Sequence, residues 1–244
     1  MAIENKFINC GRKNSSLKSE IKMSTIQLVT ALVETEISSA EIPYLRGTMI
    51  HLSGDDPLFH NHNADGFNYV YPLVQYRRIN GCAAVIGINQ GGEALLHLLG
   101  NGEDFSLQLG NRRVEVEAVT IRTEKAQVVC ERNSTYTYSI SQWLPLNREN
   151  YQAYQQQEVL IDRIGMLEKI LIGNILSFAK GVGIFFECPV ECRILELQST
   201  GLAKYKEVEL MSFSAKFRCN VRLPEFIGLG KSVSVNHGVI NRIK

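Results

Sequence analysis

Nowhere does this sequence run apolar for the roughly 20 residues that a membrane-spanning helix needs; its longest apolar stretch, near residues 170–178, is interrupted by Gly173 and Asn174. The N-terminus has no apolar signal core, and no Gln/Asn-rich, Pro-rich or Gly/Ser-rich tract breaks the chain. A packed soluble protein without a membrane partner is expected, and a cytoplasmic one. Net charge is scarce too: +1 over 244 residues, where a nucleic-acid-binding domain usually carries a strong basic surplus. The six cysteines lack zinc-site spacing, since Cys188 and Cys192 (CPVEC) have no second Cys or His pair close by. Cys82, Cys130 and Cys219 sit in strand-like apolar surroundings, which suits small buried hydrophobes better than disulfide partners. No metal or cofactor is expected.

What is present is a globular composition, 45% hydrophobic and 21% charged. The length suits two compact domains of roughly 100 to 150 residues. Residues 1–22 are polar, basic and aperiodic, and are expected to be an extension. A first domain is then placed at 23–145 and a second at 146–244. In the first, β-branched residues at 24–35 predict a strand, 38–52 a helix with Pro43 in its first turn, and 53–68 a loop. Strands are expected at 69–79 and 82–88 around the Asn80-Gly81 turn, a helix at 91–99 and further strand over 105–131. The order strand, helix, strand, strand, helix, strand is that of a ferredoxin-like unit.

The second half opens with the best helix of the chain, over 158–179. Leu160, Ile164, Leu167, Leu171, Ile175 and Phe178 form its apolar stripe, with Asp162, Arg163, Glu168 and Lys169 toward the other side. Lys180 and then Gly181 supply a stop signal. Strands at 184–197, 206–213 and 216–223 predict a second, reduced ferredoxin-like unit. The fold class is therefore α+β, two ferredoxin-like domains in tandem followed by a glycine-rich loop.

Charge is unevenly spread. From residue 213 onward Lys216, Arg218, Arg222, Lys231, Arg242 and Lys244 face the single acid Glu225, a local balance of +5. Between 213 and 223, apolar residues alternate with Lys216, Arg218 and Arg222, so a continuous strand would set the three cations on one face. Such a stripe is either a solvated sheet face or a row of phosphate contacts spaced by about 7 Å.

The densest chemistry lies in LFHNHNADGFNYVYPLVQYR, residues 58–77. On an extended backbone His60 and His62 point to the same side and bracket a phosphodiester. Two imidazoles can divide a transesterification, one taking the proton of an attacking 2'-hydroxyl and the other protonating the leaving 5'-oxygen. His-x-His is also metal-ligand spacing, but only Asp55, Asp56 or Asp65 stands near as a further ligand. A purely structural histidine loop is the remaining alternative, while His51 and His97 are expected to be incidental. Near the C-terminus, Gly228, Gly230 and Gly238 with Lys231 could bring backbone N–H groups and a charge to a phosphate. Gly230-Lys231-Ser232 does not make a nucleotide-triphosphate loop, because Glu225 stands where the first glycine is needed.

The stretch GLGKSVSVNHGVI (228–240) resembles the glycine-rich loop of the repeat-associated RNA-binding proteins of CRISPR systems. IPYLRGTMIH, LFHNH, YPLVQYR and EKILIGNILSFAKGVGI resemble the subtype-B branch of the CRISPR precursor-RNA endoribonucleases, and the similarity runs from Ser24 to Lys244. It implies two ferredoxin-like domains and metal-independent cleavage of repeat RNA that leaves a 2',3'-cyclic phosphate and a 5'-hydroxyl. By motif it implies catalytic roles for His60, His62 and Tyr69, with Tyr71 in reserve, and an RNA or structural contact for Arg46. RNA binding is expected from Lys216, Arg218, Arg222, Gly228, Gly230 and Lys231. The implied partners are CRISPR repeat RNA, other CRISPR-associated subunits and a second copy of the chain. The alternative is an RNA-holding subunit of the same fold that does not cut.

Overall fold

A computed structural model describes residues 24–60, 62–63, 66–67, 71–100, 105–205 and 208–243, with the backbone alone at 62–63, 66–67, 204–205 and 208. The expected extension at 1–22 lies outside the described residues, as does Lys244.

Period-two burial explains the first sheet. In β1 (Ser24–Glu36), Ile26 and Leu28 point into one core, while Val29, Ala31 and Val33 point into another on the opposite face. The same division holds in β5 (Cys82–Ile88), where Ala83 and Val85 face one side and Ile86 and Ile88 the other. A sheet buried on both faces needs such nearly continuous apolar strands. One face packs on α1 (Ile42–Leu52), which follows a 3-10 turn at Ser39–Glu41, on the short α2 (Pro57–His60) and on α3 (Gln90–Gly100). Two two-residue strands, β2 (His62–Asn63) and β3 (Gly66–Phe67), pair with each other before β4 (Val74–Ile79) joins the sheet. The β4–β5 hairpin turns at Asn80 and Gly81, both at positive φ (51° and 89°), the tight turn that dipeptide favours.

Residues 105–131 do not form one strand. They divide into the hairpin β6 (Ser106–Leu109) and β7 (Arg112–Glu115), then β8 (Val119–Cys130). The residue at the β6–β7 turn, Gly110, has a φ of 67° that a continuous strand cannot accommodate. Sheet order is β12-β8-β1-β5-β4, where β12 is the two-residue strand Val221–Arg222, and each pairing is antiparallel. The four strands from the first half thus lie in the order fourth, first, third, second, that of a ferredoxin-like unit.

The second sheet has the order β10-β11-β9-β13, from β9 (Tyr136–Trp143), β10 (Cys192–Tyr205), β11 (Val208–Cys219) and β13 (Val239–Arg242). Counting β9 as the first strand repeats the fourth, first, third, second order, with residues 223–238 where a second helix would stand. β9 thus pairs entirely within the second sheet, although a boundary at 145/146 assigns it to the first half. The short helix α4 (Arg148–Gln156) leads to α5 (Leu160–Gly181), whose Leu167, Leu171, Ile175 and Phe178 are buried in the same core as Phe213 and Phe217 of β11.

Four details of this half differ from the expected pattern. Leu160 is 61% exposed, because it sits at the N-terminal end of α5 beyond the reach of the sheet. Glu168 is buried rather than solvated, accepting from the Ile194 N–H and pairing with Arg193. The left-handed residue after α5 is Gly183 (φ 77°), while Gly181 is still helical and lies against Tyr71, where an added Cβ would come within 2.3 Å of the Tyr71 Cβ. Residues 184–191 are not strand: Ile184 turns back to the Ala179 carbonyl, and Cys188 forms a disulfide with Cys130 at a Cα–Cα distance of 6.2 Å. Cys130 is therefore cross-linked, contrary to its expected role as a free buried thiol, whereas Cys219 and Cys192 are free and buried. Among the described residues no helix is long and apolar enough to cross a membrane.

Candidate functional site

His60 is the last residue of α2, and the backbone around it is fixed by two side chains from neighbouring elements. Arg46 on α1 donates from Nη2 to the His60 carbonyl at 2.7 Å, and Tyr76 on β4 donates from its hydroxyl to the Phe59 carbonyl at 3.2 Å. The last carbonyls of a helix have no partner within it, so both bonds satisfy groups that would otherwise be orphaned. Phe59 is buried beneath, and α1 places Arg46 beside the stripe of Ile42, Leu45 and Met49 that it buries. Of the two roles open to Arg46, the structure shows the structural contact. Its buried Nε has no partner among the described residues. Burial raises the Tyr76 phenol well above its ordinary value, so it stays a donor.

The extended backbone expected across His60 and His62 is not what forms. His60 ends a helix, and two residues later His62 enters β2, opposite Phe67 in β3. The His62 side chain and Tyr69 lie outside the described residues. Tyr71, the reserve candidate, is buried: its hydroxyl donates to the Gly228 carbonyl at 2.8 Å, and burial raises its pKa to about 12. It is a strut between the two halves.

The residues that join this segment to the C-terminal loop carry no role in any functional motif of the sequence. Val74 and Tyr76 face the helix side of the first sheet, so Gln75 and Arg77 project from the opposite face toward the second half. Arg77 is fully buried. It donates from Nε to the Phe226 carbonyl (2.8 Å), from Nη1 to the Val233 carbonyl (2.6 Å) and from Nη2 to Gln75 Oε1. Burial lowers its pKa to about 10. Gln75 Oε1 also accepts the Gly228 N–H at 3.1 Å, and the Tyr76 N–H donates to the Ser234 carbonyl at 2.8 Å. The available signal is the period-two pair Gln75 and Arg77 alternating with Val74 and Tyr76, polar side chains that require partners when both faces of the strand are buried.

The glycines of the 226–239 loop serve this docking. Gly228 is buried and its N–H is taken by Gln75, which rules out the expected donation from that group to a phosphate. The Lys231 N–H is likewise committed to the Leu144 carbonyl. Gly230 (φ 99°) lies on the indole of Trp143, so that a Cβ would come within 2.8 Å of Nε1, while that Nε1 donates to Asn174 of α5. At Gly238 (φ 63°) a Cβ would fall 1.9 Å from the Leu229 carbonyl oxygen. The Lys231 side chain is exposed, and desolvation lowers its pKa from the ordinary lysine value.

The expected cationic stripe is split. Lys216 and Arg218 lie on β11 in the second sheet, but the chain breaks at the buried Asn220, and Arg222 falls on β12 (Val221–Arg222), which pairs with β8 in the first sheet. Lys216 Nζ is 2.7 Å from Glu196, and Arg222 donates to Gln127 at 2.6 Å. His51 and His97 are exposed helix residues, as expected.

The chain is similar to several known proteins. An uncharacterized protein of Methanocaldococcus jannaschii is 34% identical over 119 residues, which is 48% of this chain and 77% of that one. A crystal structure of Cas6b superimposes with a TM-score of 0.83 at 24% identity, over 90% of this chain and all of the other. A second, of the CRISPR RNA processing endoribonuclease Cas6b, gives 0.70 at 22% identity over the same shares. These likenesses establish the fold, two ferredoxin-like units in tandem. The family model for the Cas6b N-terminal domain matches residues 19–127 and that for the Cas6b C-terminal domain residues 130–243, so the chain belongs to the Cas6b family.

Proposed function

We propose that this chain is an endoribonuclease that processes CRISPR repeat precursor RNA in the cytoplasm, using general acid and base catalysis without a metal. His60 and His62 share the removal of the 2'-hydroxyl proton and the protonation of the leaving 5'-oxygen. Tyr69 orients the reacting groups or stabilises developing charge. The products are a 2',3'-cyclic phosphate and a 5'-hydroxyl. Lys216, Arg218, Arg222 and Lys231 bind phosphates, and Gly230 lets the RNA backbone approach the loop, while Gly228 contributes shape alone. Its partners are CRISPR repeat RNA, other CRISPR-associated subunits and a second copy of the chain.

The observation that carries this proposal is the anchored histidine turn: a partly exposed His60 whose backbone is held by Arg46 and Tyr76 in a chain of the Cas6b family. Fixing the backbone beside a catalytic side chain limits the misplacement that slows proton transfer. The test is incubation with labelled repeat RNA in EDTA, followed by analysis of the product ends. Cleavage is expected to persist, to stop with a 2'-deoxy substitution at the cut site, and to be abolished by His60→Ala with His62→Ala while RNA binding is retained. RNA that is shifted but uncut identifies a holding subunit, and cleavage that returns only with added metal overturns the metal-free chemistry.

A further inference from the structure

A groove of about 620 Å³ opens on the second half, between α5 and the ends of β10 and β11. Its walls carry four cations, Arg132, Lys169, Arg193 and Arg218, against the acids Glu168 and Glu191. Glu168 is already committed, with one oxygen 2.8 Å from Arg193 and the other accepting the Ile194 N–H. Arg132, Lys169 and Arg218 have no hydrogen-bond or ion-pair partner among the described residues. Arg193 and Arg218 stand directly opposite each other in the β10–β11 ladder, so they leave the sheet on the same face, with Cβ atoms about 5 Å apart. Like charges so placed destabilise a strand pair, and one glutamate offsets only one of them. An anion seated between the two guanidinium groups would offset the charge that Glu168 leaves uncompensated.

The groove is remote from the histidine turn. Tyr76 ties that turn to β4, one edge of the first sheet, whereas Arg132 follows β8 and the Asn220 carbonyl bonds to the Glu131 N–H beside it. From β4 to β8 there are three strand spacings, about 14 Å at ~4.8 Å each.

We infer that this groove carries the phosphate-binding surface beyond Arg218 to Arg132, Lys169 and Arg193, and that it holds the backbone of the RNA strand away from the proposed cleavage site. Arginine is suited to that ligand, because its planar fork meets phosphate oxygens in pairs. The spread of the four cations over α5, β10, β11 and the segment after β8 matches several phosphates along a strand better than one small anion. The inference rests on the chain being an RNA-binding protein, and it does not require that the RNA be cut.

The experiment measures affinity for a labelled repeat RNA made uncleavable by 2'-deoxy substitution, across a range of salt concentrations. It compares the full chain with its Lys169→Gln, Arg132→Gln double variant. Both side chains are exposed and unpartnered, so the variant keeps its fold. Kd is expected to rise about tenfold near physiological salt, and the slope of log affinity against log salt to flatten by about 1.4, two contacts at ~0.7 each for a single strand. Amide exchange on RNA binding should slow across residues 165–172 and 190–193. Unchanged affinity and slope overturn the inference, as does the absence of that protection. Protection produced equally by inorganic phosphate, with none added by RNA, also overturns it by marking a small-anion site. Since the RNA cannot be cut, a chain that binds here yet never cleaves repeat RNA leaves the groove standing and removes only the nuclease proposal.

Discussion

Arg46 Nη2 lies 2.7 Å from the carbonyl oxygen of His60, so a residue on the first helix fixes the backbone of a residue fourteen positions later. Arg46→Ala removes that donor and frees the turn. Single-turnover cleavage is expected to slow by about 10- to 100-fold, the scale of a misplacement near 1 Å, while RNA affinity holds within about twofold. Anisotropy and cleavage measured on the same samples separate the two quantities. A parallel fall in both identifies Arg46 as an RNA contact instead.

The strut from Tyr71 to Gly228 gives a second prediction. Tyr71→Phe leaves the Gly228 carbonyl without its partner in a buried setting, a loss of about 1–3 kcal/mol. Thermal unfolding should register this as about 2–4 °C for each kcal/mol. Cleavage by the folded variant should stay within a few-fold of the parent, since this phenol is buried against the loop. In a spectrophotometric titration the variant lacks a phenol that ionises only near pH 12. Arg77→Leu should be more damaging, by about 3–5 kcal/mol, because the carbonyls of Phe226 and Val233 lose their donor together.

The Cys130–Cys188 disulfide closes a loop across a sequence separation of 58 residues. Loop-closure entropy puts its contribution at up to about 4 kcal/mol. Reductant should therefore lower the unfolding midpoint of the parent. It should leave a Cys130→Ser, Cys188→Ser variant unchanged, at the midpoint of the reduced parent.

Glu41 gives the pH prediction. Its carboxylate accepts the Ser38 N–H at 2.7 Å and pairs with Arg112 at 2.8 Å; the Ser38 backbone bond, then Arg112, lower its pKa from 4.5 to about 2. A carboxylate depressed by folding stabilises the native state above its unfolded pKa, and that stabilisation disappears as pH falls through the folded value. Glu41→Gln should therefore unfold more readily than the parent at pH 6. The gap should narrow from about pH 4.5 downward and close near pH 2, as followed by denaturant midpoints across that range.

Much of the architecture was legible from local pattern. Asn80-Gly81 announced its hairpin because both residues tolerate positive φ, and the stripe from Leu167 to Phe178 announced a helix packed on a sheet. Pairings set by distant partners were not legible. Nothing near Tyr136 indicates that β9 belongs with β11, and Val221 and Arg222 continue the alternation of β11 in sequence while crossing to another sheet in space. For the same reason the stripe through Lys216, Arg218 and Arg222 looked continuous. At the candidate site the residue types were visible but not their anchoring: His60 stood out, whereas Arg46, Tyr76 and Arg77 act through carbonyls, which carry no sequence signature. Cys130 and Cys188 were unreadable as a pair because only the folded chain brings them together.

The two-residue strand Val221–Arg222 covers the end of the outer edge of β8, at Cys130 and Val129. A fragment cut before the second half would leave that end bare as well, with further unpaired amide and carbonyl groups open to any other chain. Anyone dissecting this protein should thus expect the isolated N-terminal piece to self-associate, and should find that adding back a peptide spanning residues 219–224 suppresses it.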